Sequence, residues 1–184
     1  MSFIKGIVFG IVVGMSWIVV NGIVVSVSLG AMGGSNPSVE ADVAGWEVQY
    51  LVSEDGHGCG SVDYILSVRE TLVYPDQTAE VEVTKIYPYH IVSQSRGRVS
   101  RQARQSKAEL EQLLRECETR GGALENVAVE AGHFVTCRFT SVTETGWDKT
   151  VWMGVVPFGV VQKLMVDRST GRQELYQLRR FSAW

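Results

Sequence analysis

Residues 6–39 carry no charged side chain, and residues 6–32 form an apolar run with a single amide, Asn21. About 20 apolar residues cross the hydrocarbon core as a helix. A cleavable signal has a shorter apolar region, roughly 7–15 residues. The length therefore predicts an N-terminal transmembrane helix, an anchor or uncleaved signal over residues 1–32. Two rivals stay open. One is a signal peptide cut near Ser28-Leu29-Gly30, or after a shorter region ending at Asn21-Gly22. The other is a buried helix of a soluble fold.

Residues 33–44 begin with Gly33-Gly34-Ser35-Asn36-Pro37-Ser38 and read as a linker. The pattern then changes period. Trp46, Val48, Tyr50 and Val52 alternate with Glu47, Gln49, Leu51 and Ser53, as in a half-buried strand. Residues 54–61 form a glycine-rich loop, and a strand over 62–74 follows. Pro75-Asp76-Gln77 is a turn. Residues 78–86 alternate again, which predicts a hairpin. Further on, Leu110, Leu113, Leu114 and Cys117 fall at i, i+3, i+4 and i+7, one face of a helix. Ser106-Lys107-Ala108-Glu109 is its capping box, and Gly121-Gly122 ends it. Residues 124–129 and 134–139 flank Glu130-Ala131-Gly132-His133 as a second hairpin. Gly146-Trp147-Asp148 reads as a turn, and short strands follow over 150–153, 160–166 and 172–181. The expected class is α+β, mostly antiparallel β. It is a curved sheet or half-barrel packed on one helix, spanning a β-rich domain over 45–184.

Charge orients the chain. Lys5 precedes the apolar run, whereas Glu40, Asp42 and Glu47 follow it, and no further Lys or Arg appears until Arg69. Positive residues stay cytoplasmic, so the C-terminal domain is expected on the periplasmic or extracellular side of the cell membrane. Within the span, Gly6, Gly10 and Gly14 recur every four residues, as do Gly22, Ser26 and Gly30. Small residues at that spacing admit a neighbouring helix in lipid. The bland alternative is that glycine is common in membrane spans.

The formal net charge is -3. A mildly acidic domain lacks the basic excess of a nucleic-acid binder. One basic stretch stands out, with Arg96, Arg98, Arg101, Arg104 and Lys107 inside a run free of acids. They are candidate contacts to an anionic partner, most simply lipid headgroups. A solvated loop is the plainer reading. Cys117 lies on the apolar helix face, and Cys137 shares a strand face with Val135 and Phe139. Export permits oxidation, so a Cys117–Cys137 disulfide is expected. Two reduced thiols, or pairing of Cys59 with one of them, are the alternatives.

The stretch Glu125-x-Val127-x-Val129-x-Ala131-Gly132-x-Phe134-x-Thr136-Cys137, with Trp152 and residues 156–161, carries a resemblance. Residues 117–180 resemble the C-terminal half of a group of bacterial exported β-rich proteins of unknown function. That group is similar in architecture to lipoprotein-carrier half-barrels. The resemblance implies a curved sheet whose concave face holds an apolar group, and it offers no catalytic residues.

Candidate chemistry is otherwise sparse. There is no nucleophile elbow, phosphate loop or paired-histidine zinc helix. Asp55, His57 and Cys59 share a loop, but a structural zinc needs about four ligands. No cofactor is expected and no enzyme. The expected function is a membrane-anchored envelope domain that binds an apolar ligand, a lipid or a protein without catalysis. The alternative is an accessory subunit of a larger membrane complex, assembled through the transmembrane helix.

Overall fold

The computed structural model describes residues 45–56, 60–90 and 92–182, together with two three-residue strands, 18–20 and 23–25. Those two strands, β1 (Ile18–Val20) and β2 (Ile23–Val25), pair antiparallel. Their six residues are all β-branched and extended there. The rest of the expected span lies outside the described residues. So do Gly6, Gly10, Gly14, Gly22, Ser26 and Gly30, along with His57 and Cys59 of the loop. Among the described residues, no helix is long and apolar enough to cross a membrane.

Nine further strands form one antiparallel sheet, open and curved. They are β3 (Glu47–Gly56), β4 (Gly60–Val73), β5 (Ala79–Ile86), β6 (Val92–Val99), β7 (Ala123–Val129), β8 (Gly132–Val142), β9 (Trp147–Met153), β10 (Val160–Asp167) and β11 (Gln173–Phe181). Their order is β6-β5-β4-β3-β11-β10-β9-β8-β7. Each half is a meander of sequential strands. The two halves are joined by pairing of β11 with β3. The helix α1 (Lys107–Arg115) lies between β6 and β7, the two outer strands in this order. Its connection therefore has to cross the sheet.

Several boundaries differ from the sequence reading. The loop expected over 54–61 is shorter, because β3 runs to Gly56 and β4 restarts at Gly60 in register. Trp147 and Asp148 already belong to β9, opposite Asp167 and Val166. The start of the basic stretch, read as a solvated loop, instead belongs to the strand β6, so that Arg96 and Arg98 lie in the sheet. Its register explains its polarity: Arg96 stands opposite Glu82 and Arg98 opposite Glu80. Glu82 in turn stands opposite Arg69, and Arg69 opposite Glu47. Charges of alternating sign across neighbouring strands stabilise the pairing, and charged side chains suit an outer strand.

The main core lies on the concave face. Val48, Tyr50, Val52, Leu66, Val68, Val81, Val83, Val161 and Leu178 are buried there. A smaller cluster joins Leu113, Cys117 and Cys137. The helix begins as the capping box requires: Ser106 Oγ accepts from Glu109 N, and Glu109 Oε2 accepts from Ser106 N at 2.7 Å. Its regular turns stop earlier than the glycines predict, with Glu116 as C-cap. Beyond it Cys117 bonds to Cys137 of β8, with Cα atoms 5.6 Å apart. Residues 117–121 then turn tightly, and Gly121 takes φ 78°. Gly122 has a reason beyond ending the helix. A Cβ there would lie 2.3 Å from Cys137 Sγ.

Candidate ligand-binding site on the concave face

The connection from β6 to α1, residues 100–106, passes over the concave face as a strap. One side chain latches it. Arg104 Nε donates to Glu70 Oε1 at 2.7 Å, and the Glu70 side chain is only 1% exposed. The Arg104 guanidinium also stacks on the Trp46 ring, 4.3 Å from its centroid. Arg104 is therefore engaged within the fold by Glu70 and Trp46. The other basic residues do not gather with it. Arg98 is held by Thr78 Oγ1, Asp76 and the Tyr74 ring. Arg96 stands on β6, Arg101 on the strap and Lys107 at the start of α1, all exposed.

Between strap and sheet lies a cavity of about 260 Å³. Small-molecule pockets usually measure about 300–1,000 Å³, so this one suits a compact group. Val48, Tyr50, Val68 and Val160 line the sheet side. Phe139, Val151, Met153 and Phe158 add apolar walls, while Gln102, Gln105, Ser141 and Lys149 supply the polar groups. Tyr50 stays neutral, because burial raises its pKa and its hydroxyl donates to the Val160 carbonyl. Phe158 is placed by a strained turn. Its φ is 61°, a region that bulky residues avoid. Gly154 N donates to the Gly159 carbonyl at 2.8 Å and closes that turn. The reward is a ring set edge-on against Trp46, with centroids 5.8 Å apart. Gln105 Oε1 is buried and has no hydrogen-bond partner among the described residues. A buried acceptor in that state is costly, so the amide is a ready group for a ligand.

Two lysines on this face went unnoticed in the sequence. Register places Phe139, Val151, Lys163, Tyr176, Val52 and Tyr64 in one row across six strands. The next row runs through Ser141, Lys149, Met165, Glu174 and Glu54. Lys163 is 2% exposed, and its ammonium sits 3.6 Å from the Tyr176 ring centroid. Burial lowers its pKa to about 8; Lys149 pushes the same way and Glu174 opposes. Lys149 is half-buried, and desolvation lowers its pKa too. Among the described residues neither ammonium has an ion-pair partner. The acids of the row are already engaged. Arg172 bridges Glu54 and Glu174 at 3.2 and 3.4 Å. The Tyr64 hydroxyl donates to Glu54 and the Tyr176 hydroxyl to Glu174.

No group of three or more metal-ligating side chains occurs among the described residues. The disulfide expected from the two apolar faces is present, and it ties α1 to β8 beside the cavity wall.

No family model matches the chain, and no curated protein matches it. Among solved structures, a candidate exported protein with a YmcC-like fold from Bacteroides fragilis matches it. The TM-score is 0.46 and the identity 12%, over 76% of this chain and 96% of that one.

Proposed function

We propose that the chain is an exported envelope protein, tethered by its N-terminal segment, whose β-rich domain binds an apolar ligand or lipid without catalysis. The observation that carries this reading is the apolar cavity between the strap and the concave face, bordered by a few polar groups. The tether follows from the uncharged run of residues 6–39. To cross lipid as a single span, that stretch would have to be helical in place of the β1–β2 pairing, because a lipid-exposed backbone must satisfy its own hydrogen bonds. The Cys117–Cys137 bond suits an oxidising compartment.

Solvent extraction of the purified full chain, followed by mass spectrometry, tests the binding role. An apolar compound should co-purify near one per protein. Ser141→Trp places an indole at the exposed rim of the cavity and should abolish that occupancy while the fold persists. Extraction that yields no apolar compound from the wild type, or equal amounts from wild type and variant, refutes the site.

A further inference from the structure

The two lysines name the chemistry of the ligand. Val151 lines the cavity on β9. Lys149 stands two residues from it on the same strand, and Lys163 is its register partner on β10. Lys149 itself lines the cavity; Lys163 does not, but stands beside Val151 in the same row of the same face. The acids on the same face are tied up by Arg172 and two tyrosine hydroxyls. Lys163 keeps the Tyr176 ring as its contact, which compensates only part of the hydration an ammonium loses on burial. Uncompensated positive charge next to an apolar cavity favours an anion and disfavours a cation.

Resting on the ligand-binding reading above, we infer that the cavity takes an amphiphile with a single anionic head, such as a carboxylate. Its head sits at Lys149, in the positive potential that Lys163 adds from the adjacent strand, and its apolar tail lies among Val48, Tyr50, Val68 and Phe158. At about 30 Å³ per water-sized group, 260 Å³ holds about nine such groups, which matches a medium-length chain. A longer tail emerges past Gln102, which is exposed at the strap.

The test uses the full chain in nanodiscs of zwitterionic lipid at pH 7, with ¹³C-methyl methionine labels. Met153 lines the cavity, so its methyl signal reports occupancy rather than partition into lipid. Decanoate, decanol and decyltrimethylammonium are titrated in turn. Decanoate should shift the Met153 signal at a concentration about tenfold or more below the other two, the size of one charge-assisted hydrogen bond. Lys149→Gln and Lys163→Met should each shrink that advantage and leave the decanol midpoint in place. Equal midpoints for the three probes would overturn the anionic-head assignment while the cavity reading stands, as would a decanoate advantage untouched by either variant. No Met153 shift with any probe brings down the cavity reading, and the head assignment with it.

Discussion

Raising the pH from 7 to 9.5 should stabilise the folded chain by about 2 kcal/mol, through Lys163. Its pKa falls from 10.5 to about 8 on folding, chiefly because the side chain is buried. Below pH 8 both states carry the proton, and the folded state bears the full cost of a buried ammonium. Between about 8 and 10.5 the folded state has released the proton while the unfolded chain still holds it. Stability then rises with pH, at up to about 1.4 kcal/mol per unit. Integration from pH 7 to 9.5 gives the figure of about 2 kcal/mol. Lys149, also lowered by desolvation, adds with the same sign. Tyr50, Tyr64 and Tyr176 act oppositely, because burial raises their pKa values above the ordinary one of 10.0. Their stabilising contribution is lost only as pH climbs past about 10, hence the upper limit. The assay is urea unfolding of the full chain in nonionic detergent at several pH values, followed by tryptophan fluorescence. Lys163→Met keeps the side-chain volume and removes the titration, so most of the rise should vanish. A wild-type stability that is flat or falling across this window would refute the reasoning, as would an undiminished rise in the variant.

Arg104→Met leaves the buried Glu70 carboxylate without its cation, with only the Trp46 N–H donor remaining among the described residues, and should cost about 3 kcal/mol. Faster amide exchange over residues 100–105 would show the strap released, and unchanged exchange would deny it a latch. Cys117→Ala with Cys137→Ala opens a loop of 20 residues and should cost about 3 kcal/mol by chain entropy. Non-reducing peptide mapping that found both thiols free would dispose of that expectation. Gly122→Ala should strain or break the same bond, since its Cβ would overlap Cys137 Sγ. A full disulfide yield at wild-type stability would count against that packing. Protease added to intact cells should digest the C-terminal domain and leave a membrane-bound N-terminal fragment; a shielded domain reverses the proposed orientation.

The sequence determined by itself those elements whose forces are local. Val48, Tyr50 and Val52 alternate with Glu47, Gln49, Leu51 and Ser53 because strand side chains alternate between faces, and the first set is buried on one side. The capping box at Ser106 satisfies end amides within four residues. Cys117 and Cys137 each fall in an apolar pattern, which, with export, made their pairing the expected one, and the two are bonded. What tertiary structure decided involves partners far apart or a change of phase. Nothing local marks β6, whose residues 94–98 are polar or glycine; it is a strand because β5 offers its edge for pairing, with Glu80 and Glu82 in register with the two arginines. Arg104 looks like any residue of a basic run until the strap brings it to Glu70. Lys163 was hidden by the register shift between Val160 and Gln162. Strict alternation from Val160 sends the lysine outward, whereas one extra residue in the strand puts both on the cavity side. Composition sees that lysine as ordinary solvated charge; only the curled sheet around it makes it an unpaired one.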